Sequence, residues 1–300
     1  AITMGHASCV LVAYGRLGYS AQRVSARDAA SRQASTFNPA MATWVEFEHP
    51  YGNVHPAYYF SQMFRRHMID FGTKPDCLGH IALACRKHAN LNPKALMYQR
   101  TMTMEDYLNS RMITDVFHLF DASLESDGAG AFVITSAERA RDLKKRPILI
   151  MSAAQGHPRH PTSVTEQTPI TGFRGIQMAA KKSFAIAGLT PKDIDFAEIS
   201  DGYTWVTLCG LEGCGFCKVG EGGSFVEGGR IELGGELPVN THGGLVSEAH
   251  QSGVNHMIEA VRQLRHEVEI PERQVKDAEI GLVTSAGDFG DGAVTILRRS

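Results

Sequence analysis

Apolar runs alternating with amphipathic stretches set the plan of this chain. Residues 9–13 (CVLVA) are an unbroken apolar run bounded by Gly15 and Gly18, which predicts a strand buried on both faces, as in a parallel sheet. Residues 1–7 read as the tail of a helix reaching Gly5, and a tail without a beginning implies that residues precede Ala1. Between about Arg23 and Glu125 the rhythm lapses. Aromatic and Met residues are scattered through 47–71, and a helical pattern over 76–90 stops before Asn92-Pro93, predicting a mostly helical insertion. The rhythm resumes with a strand over 127–135, a helix over 137–146 and, after Pro147, a strand over 148–153. Beyond it the pattern predicts helices at 175–187, 205–212 and 248–266, strands at 195–199, 279–285 and 293–297, and a glycine-rich stretch through Gly235. Strands alternating with helices predict βαβ units and layered parallel sheets, an α/β fold.

Composition narrows the function. A chain of 300 residues with 43% hydrophobic content can bury a sizeable core. Thirty Lys and Arg against 32 Asp and Glu leave a formal charge of −2, with no basic surplus for a phosphate backbone, which argues against nucleic acid. No stretch approaches the ~20 apolar residues that cross a bilayer, and the chain reads as cytoplasmic. The six cysteines are too sparse for a disulfide scaffold and read as reduced thiols. Cys214 and Cys217 make one CxxC without a second pair, which argues against a structural zinc. His157-Pro-Arg159-His160-Pro reads as a stiff exposed loop because of its two prolines.

Three segments carry candidate chemistry. In residues 238–247 (PVNTHGGLVS), Gly243 and Gly244 precede a helix, so backbone can approach a ligand closely and the helix N-terminus favours developing negative charge. His242 before the glycines and His250 after them are either proton-moving groups or ordinary cap histidines. Residues 199–205 (ISDGYTW) follow a strand and open a helix, placing Ser200, Asp201, Tyr203 and Thr204 at a strand's carboxyl end, where ligands bind in open α/β sheets. The Tyr203 phenol can donate to an enolate or accept a proton. Asp201 is either part of that chemistry or an N-cap. Residues 284–292 (TSAGDFGDG) end a strand at Ser285 and turn at Gly287; the turn offers either backbone donors for an oxyanion or a plain tight connection.

Together these segments, with residues 126–131 (SDGAGA) and 215–229 (GFCKVGEGGSFVEGG), resemble the thiolase superfamily, specifically its sterol-carrier-protein or lipid-transfer type, in order and spacing along the whole chain. The resemblance implies a thiolase fold: two similar α/β halves, each with a five-stranded sheet, layered α-β-α-β-α, with a loop domain inserted into the first. Residues 1–146 would be the remainder of the N-terminal half, with 23–125 the insertion, and 147–300 the C-terminal half. The family's Gly-His-Pro histidine falls on His250. The residue that usually orients a catalytic water falls on Ser200, in Ser200-Asp201-Gly202-Tyr203. The late Cys-x-Gly cysteine falls on Ser285-Ala286-Gly287, and a serine cannot supply a thiolate there. The family's acylated cysteine would lie upstream of residue 9, and Cys9, inside an apolar strand, is not expected to replace it.

The resemblance implies an acyl-CoA acyltransferase, with coenzyme A as substrate or product and no permanently bound cofactor. Some relatives that act on steroid side chains resemble retro-aldolases using tyrosines; Tyr203 and Ser285 suit that alternative, His250 the first. A third reading is a non-catalytic lipid-transfer or scaffold subunit. The family also implies a homodimer through the N-terminal sheets and a small OB-fold and zinc-ribbon partner.

Overall fold

The computed structural model of the chain describes residues 1–20, 46–158, 169–287 and 290–300. Two sheets organise it. Strands β1 (Cys9–Leu17) and β2 (Asp127–Thr135) pair antiparallel, Cys9 opposite Thr135 and Leu17 opposite Asp127. The second sheet has the order β3 (Ile148–Gly156), β6 (Gly292–Arg299), β5 (Ile280–Ala286), β4 (Phe196–Glu198). Only β4 and β5 run parallel within it; the other neighbours are antiparallel.

The expected parallel sheets are therefore corrected. β5 and β6 are joined by the short turn after Ala286, and strands so closely linked can only run antiparallel, because a parallel pair needs a crossover of a dozen residues or more. The described strands number two and four in the two sheets, against the five expected of each. β1 is also not buried on both faces: Leu11 is 67% exposed and its neighbour across the ribbon Val133 60%. Cys9 is exposed as well. Residues 1–7 form turns, with Gly5 N–H donating to Ile2 and His6 N–H to Ala1, not the tail of a helix. In the histidine and proline cluster at 157–161, His157 is exposed and Pro158 buried; residues 159–161 lie outside the described residues.

The insertion is helical as its pattern predicts, with α1 (Pro56–Phe71), α2 (Cys77–Asn90) and α3 (Met104–Leu108). After β2 come a short α4 (Ala137–Arg141) and, beyond β3, α5 (Arg174–Ala187). The chain continues through α6 (Thr204–Gly213), α7 (Gly222–Phe225), α8 (Gly244–Ser247) and α9 (Val254–Arg265). α4 ends five residues before its expected end, and α9 begins six residues after its expected start.

Strand alternation distributes the sheet's side chains between two helices. Ala197, Leu282 and Ile296 face the core shared with Ile176, Ala179 and Phe184 of α5. Their neighbours Phe196, Val283 and Leu297 face Ala260 and Leu264 of α9. α9 also packs against β2, so it lies between the two sheets, and the layers run ribbon, α9, sheet, α5. At one end of this stack α5 meets the sheet backbone to backbone. A Cβ on Gly175 would collide with Gly156 and Gly290, and Gly175 N–H donates to the Gly290 carbonyl at 2.8 Å.

The insertion is tied to the C-terminal half through α6, all but uniformly apolar and buried. Trp205, fully buried, packs 5.2 Å from both Phe64 and His67 of α1. His67 Nε2 lies 3.2 Å from both Glu212 oxygens, and Glu212 accepts the Gly220 and Gly222 amides at 3.0 Å. One carboxylate thereby holds the glycine-rich loop against α1.

Candidate active site

The site is assembled where β4 ends. Asn240 clasps the strand terminus: its side chain accepts Ile199 N–H at 2.7 Å and donates to the Ile199 carbonyl at 2.9 Å. This fixes Ser200 and Asp201 as they leave the sheet, and Ser200 N–H donates to Thr284 Oγ1 at 3.0 Å.

Asp201 is fully buried. It accepts Leu245 N–H at 2.9 Å and Val246 N–H at 3.3 Å, and His256 Nε2 lies 3.1 Å away. Asp201 thus receives the leading amides of α8, whose own N-cap is Gly243, and not those of the helix that follows it in sequence; it sits 44 residues from Leu245. The two glycines make this approach possible. Gly243 and Gly244 have φ of 111° and 66°, the left-handed region where side chains are strained. A Cβ on Gly244 would run into the Asp201 carboxylate, and one on Gly243 into Ala89 of α2.

Beneath them lies a buried ionic network. Thr241 Oγ1 is 2.8 Å from both Glu198 and Glu259, and Arg273 pairs with Glu259. His242 has Nδ1 at 2.9 Å from Glu198 and Nε2 at 3.6 Å from Glu248, ion-pair distances without hydrogen-bond alignment. Burial acts to lower its pKa, yet Glu248 and Glu198 together carry it up to about 9, so it stands as an imidazolium.

His250 sits beyond α8 in the irregular connection that precedes α9. Its backbone N–H donates to Ser126 Oγ at 2.7 Å, and its ring Nδ1 lies 2.8 Å from Ser123 Oγ. Burial, and after it the positive charge of Arg16, hold its pKa down to about 4, with Asp201 pulling upward and His256 downward. The ring is half-buried and neutral. Beside this connection Lys94, Glu248, Gln251, Asn255 and Arg262 line a cavity of about 250 Å³.

These shifts predict a pH optimum of stability. A His242 raised from the ordinary ~6.5 to about 9 contributes fully below ~6.5, and the contribution is lost as pH rises through 9. His250 and His88, both lowered to about 4 by burial, stay unprotonated when folded, so stability is lost as pH falls from ~6.5 towards 4. Asp121, pushed up to about 6 by burial, opposes them in that lower window. Urea midpoints should peak between about pH 6 and 7; a monotonic rise towards pH 9 would contradict this assignment.

Of the other candidates, Tyr203 has its ring 5.5 Å from Phe60 and 5.6 Å from Phe117, at 7% exposure, in the main core. Ser285 is exposed on the face of β5 opposite Thr284, and Gly287 closes the turn by donating to the Asp291 carbonyl at 3.1 Å. The structure brings Asp201, Gly243 and Gly244 together and hangs His250 from α8. Ser123, His256 and Glu198 went unnoticed in the sequence, and Ser126 entered only as the first residue of the SDGAGA segment. Only His256, six residues from His250 on the predicted helix, left a signal there. Burial pushes the Cys214 and Cys217 thiols up to about 12, away from thiolate chemistry.

Residues 156–299 match the family model described as thiolase C-terminal domain-like. The acetyl-CoA acetyltransferase of Methanothermobacter thermautotrophicus is 34% identical over 267 residues, 87% of this chain and 68% of that protein. The chain belongs to the thiolase superfamily, sterol-carrier-protein type. Two further proteins are similar as well. The 17-hydroxy-3-oxo-4-pregnene-20-carboxyl-CoA lyase of Mycobacterium tuberculosis is 44% identical over 221 residues, 73% of this chain and 57% of that protein. The chain thus spans little more than half of the lyase's length. The solved Ltp2-ChsH2(DUF35) aldolase superposes with a TM-score of 0.89 at 36% identity, covering 100% of this chain and 74% of that one. The thiolase fold expected from the resemblance is the fold observed. Among the described residues no helix is long and apolar enough to cross a membrane.

Proposed function

We propose that this thiolase-fold chain carries the site of a lyase that cleaves a β-hydroxyacyl-CoA by retro-aldol chemistry. The observation that carries the reading is the 44% identity to a CoA-ester lyase, above the 34% to an acetyltransferase. Ser285 in place of the family's late cysteine supports the same choice, since a serine hydroxyl ionises too weakly to act as a thiolate near neutral pH. This reverses the order of the two enzymatic readings suggested by the sequence.

In the reaction a base removes the β-hydroxyl proton, the C–O bond becomes a carbonyl, and the Cα–Cβ electron pair passes into the thioester enolate. Protonation at Cα then releases a shortened acyl-CoA and an aldehyde or ketone. Charge develops on the thioester oxygen, so preorganised donors there lower the barrier most. His250 is the side chain proposed to meet that oxygen, with the α8 turn and the glycines holding its backbone. Coenzyme A is carried through as the thioester of substrate and product, and no permanently bound cofactor is proposed.

Asp201 acts through α8 and His256 and is assigned a positioning role, with Ser200 and Ser285 proposed to border the substrate. Tyr203 is assigned to the packing of α6 against α1. Tyr203→Phe is therefore expected to keep kcat within about threefold, whereas loss of a general acid or base lowers rates by about 10²–10⁴-fold; steady-state kinetics decide between them.

The division at residues 146 and 147 into two halves is likewise proposed. The exposed β1–β2 ribbon, with Leu11, Leu17 and Val133 uncovered, supports a homodimer through that face. The DUF35 component named in the similar solved complex supports a partner of the OB-fold and zinc-ribbon kind. Sedimentation of the full-length protein with and without a DUF35 partner tests both.

To test the activity, full-length protein is given a β-hydroxyacyl-CoA carrying a bulky side chain, without free coenzyme A. Release of a carbonyl product with an equal amount of acyl-CoA is expected. Cleavage that requires added coenzyme A and passes through a covalent acyl-enzyme would return the reaction to the acyltransferase class.

A further inference from the structure

Two serines from the segment before β2 hold His250. Ser126 is 4% exposed; its hydroxyl accepts the His250 amide at 2.7 Å and lies 3.4 Å from the His250 carbonyl. Ser123 meets the ring at Nδ1, 2.8 Å away. The Ser123 segment is itself fixed to the site's framework. Ser123 N–H donates to the Gly202 carbonyl beside Asp201, and Leu124 N–H to the Leu245 carbonyl of α8, each at 3.0 Å. The hydroxyl is therefore carried at a set place relative to both Asp201 and the helix from which His250 hangs.

We propose that Ser123 is the positioning residue that fixes the tautomer of His250, donating its hydroxyl proton to Nδ1 so that the ring proton resides on Nε2 and is presented to the substrate's thioester oxygen. The 2.8 Å contact admits either direction, and the proposal takes the one in which the hydroxyl donates. A neutral imidazole carries one N–H. Were it on Nδ1, it would donate to Ser123, and the hydroxyl proton would need another acceptor. Among the described residues Nδ1 is the only hydrogen-bond partner of that hydroxyl. The charged and titratable groups acting on the ring are Arg16 from β1, Asp201 from the loop after β4 and His256 from α9; burial and Arg16 hold the ring neutral. A neutral imidazole donating from one nitrogen polarises a carbonyl without releasing its proton, as in other enolate-forming sites.

This inference deepens the retro-aldol reading and rests on it for the substrate atom, though not for the tautomer. Its test uses full-length protein with ¹⁵N-labelled histidine. Nitrogen shifts separate the Nε2–H form from the Nδ1–H form, and the His250 signal is identified by its loss in His250→Gln. The wild type is expected in the Nε2–H form across neutral pH, with Ser123→Ala giving a mixture and Ser123→Thr, which keeps the hydroxyl, restoring it. Alongside, kcat is expected to fall about 10- to 100-fold in Ser123→Ala with KM changed less, and to recover in Ser123→Thr, as for a misplaced oxyanion donor. A wild-type Nδ1–H form, or a Ser123→Ala protein with unaltered tautomer, overturns the proposal. A correct tautomer response in an enzyme that proves to need free coenzyme A would retain the lock and reject the retro-aldol reading. An inactive protein with a correct tautomer response would do the same.

Discussion

Replacement of His250 by alanine is expected to lower kcat for carbon–carbon cleavage by about 10²–10³-fold, the penalty for removing one preorganised donor to an oxyanion. Substrate binding should change far less, because the interaction strengthens only as charge moves onto the thioester oxygen. Glutamine at the same position separates two roles. Its amide can donate but cannot abstract a proton, so partial activity in His250→Gln marks a donor and equal inactivity of both variants marks a base. The chemistry of the ring favours the donor: with its pKa held at about 4 by burial and Arg16, the imidazole is a weak base near neutrality. Undiminished turnover in His250→Ala would instead return the chain to the non-catalytic reading.

The largest effect on stability is expected at Asp201. Alanine there leaves the Leu245 and Val246 amides facing a buried space without an acceptor, and leaves His256 Nε2 with the Ile199 carbonyl alone. Each orphaned buried donor costs about 1–3 kcal/mol, and breaking a buried charged contact about 3–5 kcal/mol, so Asp201→Ala should lose about 3–5 kcal/mol. Asp201→Asn keeps one accepting oxygen and should lose less. Denaturant titrations of both variants check the order; an Asp201→Ala protein within 1 kcal/mol of wild type would mean that the two amides find water instead. Activity should fall further than stability alone requires, since α8 carries the chain to His250.

Much of this site was readable from local pattern, and the remainder depends on pairing across the chain. Gly243 and Gly244 declared a close backbone approach, and the approaching group proved to be Asp201, which the sequence also flagged. What the pattern could not convey was that Asp201 receives the leading amides of α8, because a capping residue in sequence looks forward to its own helix. Periodicity placed the six strands and helices α2, α5 and α6 to within a few residues but gave α1, α3 and α7 no range of their own, and it reports only which residues alternate, not which strands become neighbours. Hence the apolar run at β1 read as doubly buried, and the sheet as parallel. Ser123 and Ser126 lie in a segment without periodicity, 127 and 124 residues from His250, and their hydroxyls have meaning only once the fold joins them. α9 began late because Ser252 and Gly253 take positive φ, a backbone reversal that apolar spacing passes over.

The α8 helix has a kinetic side. Four residues make a single turn, and one turn costs more to nucleate than its hydrogen bonds return, so such a segment is coil when isolated. Here its leading amides are received by Asp201, delivered from the end of β4, and its far end leads to a histidine gripped by the segment before β2. None of these three pieces is adjacent in sequence. The turn therefore acquires its shape only after β4, α9 and β2 have come together, which makes the surroundings of His250 a late product of folding and ties its integrity to long-range contacts.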